Sequence, residues 1–196
     1  MKVNCHQKRH NTYWTAVLVP ALCIIAIILA GCESKEPLPA EGEVVLSVSS
    51  TAFQEGESIP DKYTCQGQDV SPPIAWGEPP AGTQSLALIT DDLDAPLGVF
   101  THWVIFNIPP ASRQLTEAVP AQPRLPSGAL QGKNNFDKIG YGGPCPPSGS
   151  PHRYQFTIYA LDSPLDLKEG ASKNEVLDAL QGHMLARGKL IGTYQR

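Results

Sequence analysis

Residues 85–110 read SLALITDDLDAPLGVFTHWVIFNIPP, and this stretch decides what kind of fold the chain builds. Ser85-Leu86-Ala87-Leu88-Ile89-Thr90 is an apolar run of strand length that ends directly in Asp91-Asp92-Leu93-Asp94-Ala95-Pro96. His102-Trp103-Val104-Ile105-Phe106-Asn107-Ile108 is a second run, closed by Pro109-Pro110, whose nitrogens carry no N–H for a β ladder. Apolar runs of roughly four to eight residues bounded by turn signals argue for buried strands rather than helices. Working outward, Tyr154-Gln155-Phe156-Thr157-Ile158-Tyr159-Ala160-Leu161 is a third such run, rich in aromatic and β-branched residues that suit a pleated surface.

The flanks agree. Val44-Val45-Leu46-Ser47-Val48 begins the β texture, and Leu190-Ile191-Gly192-Thr193-Tyr194 closes it. Between them, Asp61–Pro80 is irregular and rich in proline and glycine. One helix is signalled. Ser172 and Glu175 form a Ser-x-x-Glu capping box, after which Val176, Leu177, Leu180 and Met184 repeat at helical spacing, with His183 inside the helix and Gly188 as its stop. The expected fold is mostly β, an α+β or sandwich-like domain with a late helix.

The N-terminus reads differently. Lys2, Lys8, Arg9 and His10 precede an apolar run, Ala16–Ala30, broken only by Pro20. That run is shorter than the roughly 20 residues a membrane-spanning helix needs, and its flanks are those of a secretory signal peptide. Leu29-Ala30-Gly31-Cys32 looks like a lipobox, in which Cys32 receives a diacylglyceryl group and becomes the first mature residue. An uncleaved anchor helix is the alternative, and both place the domain outside the cytoplasm, tethered to a membrane. The expected organisation is a lipoprotein signal peptide over 1–31, a tether over 32–43 with four Glu and two Pro, and one domain over 44–196. Glu33 after the lipid cysteine offers no Asp-type inner-membrane retention signal, so outer-membrane delivery is expected in a Gram-negative cell.

Charge narrows the partners. The chain carries 15 Lys and Arg against 19 Asp and Glu, and three of the basic residues fall in 1–31, which leaves the mature part at −7. Nucleic-acid affinity comes mainly from basic side chains neutralising phosphates, so a nucleic-acid partner is not expected. Any anion site must be local. Of the five cysteines, Cys5 and Cys23 leave with the signal and Cys32 is taken by lipid, so Cys65 and Cys145 remain as an even pair in a disulfide-permissive compartment. They form either a bridge or two buried thiols.

Polar residues gather at the strand ends. The aspartates follow the first run, His102 opens the second, and Gly143-Pro144-Cys145-Pro146-Pro147-Ser148-Gly149 precedes His152-Arg153-Tyr154 at the mouth of the third. Loops at one edge of a sheet are where sites are commonly built. His102, His152 and Tyr154 can donate to oxyanion oxygens, and a Gly/Pro-rich loop can present backbone N–H groups as a nest. An aspartate belongs in such a site if it accepts from a histidine and fixes its tautomer, the role expected of Asp92. Asp94 has a plainer alternative, capping its own turn.

These ordered motifs resemble those of the phosphatidylethanolamine-binding proteins, also called Raf kinase inhibitor proteins. Asp92-Leu93-Asp94-Ala95-Pro96 is similar to the family's Asp-Pro-Asp-Ala-Pro, with Leu93 in place of Pro and an extra Asp91 before it. His102-Trp103, Gly143-x-x-Pro146-Pro147 and His152-Arg153-Tyr154 match the other signatures in order, and Cys65-x-Gly67 with Ser71-Pro72 and Trp76 resembles the bacterial YbhB/YbcL-like branch. The resemblance spans Val44 to the C-terminus. It implies an antiparallel two-sheet sandwich, a C-terminal helix near the pocket and a cis Ala95–Pro96 bond. It also implies an anion pocket carried here by Asp92, Pro96, His102, Gly143, Pro146, His152 and Tyr154, with Asp94 a further candidate. Arg153 alternates away from its neighbours on a strand and is expected in a structural ion pair.

The expected function is a non-enzymatic binding module for phosphate-like anions, either phosphorylated headgroups or phosphorylated side chains, with no cofactor. It would be held at the membrane or outer membrane by a palmitate-bearing N-terminus and would act as an inhibitor or regulator of a partner protein. The competing reading is a metal-dependent hydrolase using His102, His152 and Asp92 as a two-His, one-carboxylate site. Against it, neither histidine sits in a tight ligand-spacing motif, and no Gly-x-Ser-x-Gly elbow supplies a nucleophile.

Overall fold

The computed structural model describes residues 44–196. The segments expected to be signal peptide and tether, with Cys32, therefore lie outside the described residues. Nine strands run in chain order as β1 (Val44–Val45), β2 (Val48–Ser49), β3 (Ile74–Trp76), β4 (Ser85–Asp92), β5 (Phe100–Ile108), β6 (Gln114–Leu115), β7 (Leu130–Gln131), β8 (His152–Leu161) and β9 (Met184–Tyr194). One helix, α1 (Lys173–Ala179), precedes β9. The large sheet has the order β1-β9-β8-β4-β5-β7 and the small sheet the order β2-β3-β6. All pairings are antiparallel except β1 with β9.

The apolar runs are continuous rather than alternating because the large sheet is covered on both faces. On one face, Leu86, Leu88, Trp103, Ile105, Tyr154, Phe156 and Ile158 pack with Phe53, Ile59, Ile74, Trp76 and Leu115 beneath the small sheet. On the other, Ala87, Ile89, Val104, Phe106 and Tyr159 meet Leu165, Val176 and Leu180. Every residue of β4 is buried as a result.

The capping box forms as the residues suggest. Glu175 N donates to Ser172 Oγ, and Ser172 N donates to Glu175 Oε2 at 2.8 Å. The helix is shorter than the spacing implied, however. It ends at Ala179, the chain turns through Gly182 at φ +80°, and Met184 already lies in β9. Gly188 is thus not a helix stop but a mid-strand glycine: a Cβ there would stand 2.0 Å from the Leu46 carbonyl oxygen, so the approach of the β1–β2 segment requires its absence. His183 sits in the turn, where its Nδ1 lies 2.8 Å from Asp162 Oδ1. The helix packs on the face opposite the histidine cavity described below, contrary to the expected placement beside it, because its apolar residues Val176 and Leu180 complete the second core.

Two bulges interrupt the β4–β5 pairing. The one that matters for the site lies where Thr90 pairs with Trp103 and Asp91 with Thr101, leaving His102 as an extra residue on β5. A bulge re-aims the side chains around it. It puts His102 on the same face as its neighbour Trp103, where simple alternation would have separated them.

Candidate functional site: a histidine-lined cavity at the strand ends

Asp92 ends β4, Phe100 and His102 open β5, and His152 and Tyr154 open β8. Asp92 pairs in register with Tyr154 on one side and with Phe100 on the other. With the bulge correcting the parity of His102, these side chains converge at one end of one sheet face. They border a cavity of about 220 Å³ lined by Asp92, Ala95, Pro96, Phe100, His102, Phe136, Cys145, Pro146, Pro147 and His152. The two imidazoles, 50 residues apart in sequence numbering, share this one cavity.

The polar geometry is specific. His152 Nδ1 lies 2.8 Å from Asp92 Oδ2, and both side chains are nearly buried, at 11% and 6% exposure. The other carboxylate oxygen, Oδ1, accepts from Asp94 N at 2.9 Å. Asp92 is thus held by the turn it begins and in turn orients His152. His102 Nδ1 donates to the Gly142 carbonyl at 2.6 Å, because a carbonyl can only accept. Each ring then has Nε2 left for the cavity. Burial pushes the His102 pKa below its usual value, against the opposing pull of Gly142, Asp92, Asp91 and Asp69.

Around His102 the rings of Phe100, Phe136 and Tyr154 stand edge-on at centroid distances of 5.3, 5.3 and 5.2 Å. Tyr154 stands behind the cavity rather than on its wall. Its buried hydroxyl lies against the Asp92 carboxylate without reaching hydrogen-bond geometry to any described residue. Burial first, and then Asp92, raise this phenol well above its usual value, so it is a permanent O–H donor.

Gly143 also sits behind the wall. Its N–H donates to Asp69 Oδ1 at 2.6 Å, and a Cβ would stand 2.5 Å from the Tyr63 carbonyl oxygen. The expected nest donor is therefore used to pin the loop from behind. Cys65 N donates to the Pro144 carbonyl at 3.1 Å, Tyr141 Oη donates to the Tyr63 carbonyl at 2.8 Å, and Cys65 and Cys145 are joined by a disulfide. These ties clamp the Gly143–Pro147 wall onto the loop after Tyr63.

Asp94 is placed elsewhere. Both its oxygens are taken by Arg153, with Nε to Oδ2 at 2.8 Å, Nη2 to Oδ1 at 2.7 Å and the Arg153 backbone N–H to Oδ2 at 2.9 Å. The guanidinium holds the Asp94 carboxyl down at about 2. A strongly paired carboxylate on the solvent side is a brace for the turn, and the Asx turn expected of Asp94 is made by Asp92 instead. Leu93, where the family motif has proline, donates its N–H to the Arg153 carbonyl at 2.9 Å, a bond proline could not make. The expected cis Ala95–Pro96 bond is not present: no described peptide bond is cis. Gly98 N donates to the Ala95 carbonyl, which makes Pro96 the second residue of a tight turn, a position that takes an ordinary trans proline.

Phe136 and Phe100 are not singled out by the sequence, and Pro147 enters there only as part of the Gly143-x-x-Pro146-Pro147 signature. Asn134, likewise not singled out, is buried and builds the loop that carries Phe136: its Oδ1 accepts from Phe136 N and Lys138 N, and its Nδ2 donates to the Gly140 carbonyl. The available signal was an aromatic residue inside Gly132-Lys133-Asn134-Asn135-Phe136, a polar loop with no strand period to explain it. The extra Asp91 points to the opposite face from Asp92. It receives Lys173 Nζ at 2.6 Å and Thr101 Oγ1 at 2.8 Å, which fastens the first residue of α1 to the sheet.

Such a molecule is a two-sheet β protein with a histidine-lined cavity at its strand ends. The family described as "Phosphatidylethanolamine-binding protein" matches residues 49–195, and the chain belongs to that family. It is 54% identical over 151 residues to a UPF0098 protein of Methanothermobacter thermautotrophicus, covering 77% of this chain and 99% of the relative. A UPF0098 protein of Aquifex aeolicus is 48% identical, covering 79% and 91%. Among solved structures, a phosphatidylethanolamine-binding protein homologue from Chlamydia trachomatis superposes with a TM-score of 0.71 at 39% identity, covering 78% of this chain and 98% of its own. E. coli YbcL, described as a member of the mammalian family, gives 0.71 at 32% identity, covering 78% and 99%.

Proposed function

We propose that this chain is a non-enzymatic, envelope-tethered module that binds a phosphate-like oxyanion, on a phosphorylated headgroup or side chain, and regulates a partner protein. The observation that carries the reading is the buried His152–Asp92 pair at 2.8 Å beside His102, bordering one cavity of a size that admits a single tetrahedral group and part of its substituent.

The tautomers favour phosphate in particular. With Nδ1 of His102 committed to the Gly142 carbonyl, neutral His102 offers a bare Nε2 lone pair. A monoprotonated phosphate can donate its P–OH to that lone pair, beside the His152 ring that Asp92 orients through Nδ1. Sulfate has no proton to give. Asp92 is engaged through Oδ2 by His152 and through Oδ1 by the Asp94 backbone, which orients it toward the histidine rather than toward the cavity centre as a metal ligand would be. Among the described residues no group of three or more His, Cys, Asp and Glu is arranged for a metal.

Calorimetric titration of the full chain tests this. Saturable binding of inorganic phosphate and O-phosphorylethanolamine at neutral pH is expected, with sulfate much weaker. Sulfate affinity should then climb on acidification, by up to about tenfold per pH unit, as His102 takes up a proton below its usual range. The sign follows from the lowered pKa: His102 is neutral at pH 7 and charges only below the value of a free histidine. Zinc binding without any phosphate response would overturn the reading in favour of the hydrolase. For the anchor, cells grown with labelled palmitate should label the chain and leave Cys32→Ala unlabelled; an unlabelled parent chain would remove the lipoprotein assignment.

A further inference from the structure

The disulfide is part of the cavity, not merely near it. Cys145 lines the cavity together with Pro146 and His152, and both cysteines are exposed to solvent. Structural disulfides are more often buried and inert, whereas an exposed one can be reached by an incoming thiol. The Arg196 guanidinium Nη1 lies 3.5 Å from Cys145 Sγ. A neighbouring cation stabilises a thiolate, which makes Cys145 the better leaving sulfur and directs attack to Cys65.

We propose that the Cys65–Cys145 disulfide is a redox gate on the anion cavity, in which reduction by a dithiol leaves a Cys145 thiolate in the wall that repels the bound oxyanion. It rests on the phosphate reading above. The exchange balances as two electrons and two protons. A thiolate of the dithiol bonds to Cys65 Sγ, the Cys65–Cys145 bond breaks, and its electron pair leaves on Cys145 Sγ. The second thiol of the dithiol then closes onto its own partner sulfur and expels the Cys65 thiolate.

The wall does not swing away when the bond opens. The bonds from Gly143 N to Asp69 Oδ1, from Cys65 N to the Pro144 carbonyl and from Tyr141 Oη to the Tyr63 carbonyl remain. Cys145 therefore stays at the cavity and acts through charge. The charged and titratable groups around it are Arg196 at the C-terminus, Asp92 of β4, His102 of β5 and His152 of β8 across the cavity, and Asp69 behind Gly143. A bound oxyanion opposes the thiolate, and the coupling is reciprocal: phosphate makes the disulfide harder to reduce by the same factor by which reduction weakens phosphate. A tenfold coupling corresponds to about 30 mV.

The test is phosphate calorimetry on the full chain, oxidised and after dithiothreitol, from neutral pH to about pH 9. The ratio of oxidised to reduced affinity should be close to one well below the thiol pKa, about 8.5 for a free cysteine, and should then rise toward tenfold per pH unit. Using the ratio cancels the titration of phosphate and of the histidines. Cys65→Ser/Cys145→Ser, whatever its own affinity, should give the same binding with and without the dithiol at every pH, which removes any contribution from the other cysteines. Brief exposure to glutathione, acid quench and peptide mass spectrometry should place the adduct on Cys65. A ratio of one throughout, a pH-independent loss shared by the double variant, or an adduct on Cys145 each overturns the gate alone. Absence of phosphate binding in the oxidised chain overturns the anion reading and the gate with it.

Discussion

Replacing Cys65 and Cys145 together by serine should lower the unfolding free energy by about 4 kcal/mol. The bridge closes a loop across a sequence separation of 80, and the chain-entropy account assigns a loop of that length a stabilisation on the order of 4 kcal/mol, exerted by restricting the unfolded chain. The native state loses little, because the same two loops remain tied by three hydrogen bonds. In a domain of this size the melting temperature should fall by roughly 8–16 °C. Scanning calorimetry of the oxidised parent, the reduced parent and the double variant checks it. The last two should melt together. A fall of only a degree or two would mean that the bridge does not restrain the unfolded ensemble, or that its native geometry carries an offsetting cost.

His152→Ala should have the second large effect, on binding and on stability at once. The substitution removes a ring that lines the cavity, and it also leaves the Asp92 carboxylate, at 6% exposure, without its closest partner, beside only the Asp94 N–H and the Tyr154 hydroxyl. Breaking a buried pair by deleting one partner costs about 3–5 kcal/mol, because the other charge is left uncompensated. For the ligand the consequence is worse still, since the stranded carboxylate faces an anion. Phosphate affinity should drop by more than about a hundredfold, in line with the loss of roughly 3 kcal/mol for a hydrogen bond to a charged group. Asp92→Asn separates the two causes. It keeps the shape and a hydrogen bond to His152 while removing the carboxylate charge, so it should be the milder change for stability. Titration calorimetry and urea denaturation of the two variants distinguish them. Phosphate binding in His152→Ala within a few-fold of the parent would remove the cavity from consideration as the anion site.

Much of the architecture was legible because its causes are local. The runs Ser85–Thr90, His102–Ile108 and Tyr154–Leu161 are the cores of β4, β5 and β8, and their lack of alternation reflects a sheet covered on both faces. The capping box placed the start of α1 because its two hydrogen bonds lie within four consecutive residues. The end of the helix was misjudged for the opposite reason. Met184 keeps helical spacing with Leu180, but β8 offers it a strand partner, Leu161, and nothing within the segment announces that partner.

The cavity shows the same division. Asp92, Pro96, His102, Pro146 and His152 could be collected from motifs at strand mouths. That Asp94 turns outward to Arg153 while Asp92 turns inward depends on which face the sheet closes against. Asn134 and Phe136 come from a loop whose position is set by contacts with β5, not by its own residues.

By itself the sequence determined the strand composition, the capped helix and the polar side chains that stand at the strand mouths, since each follows from residue type and near-neighbour spacing. Only the tertiary structure decided that His102 leaves its alternating position through a bulge opposite Thr90 and Asp91, that these two faces separate Asp91 from Asp92, and that Cys145 stands in the cavity wall. The reason is one of range. Alternation is written into consecutive residues, whereas a bulge, a buried ion pair and a wall are chosen by how distant segments pack once the sheet has formed.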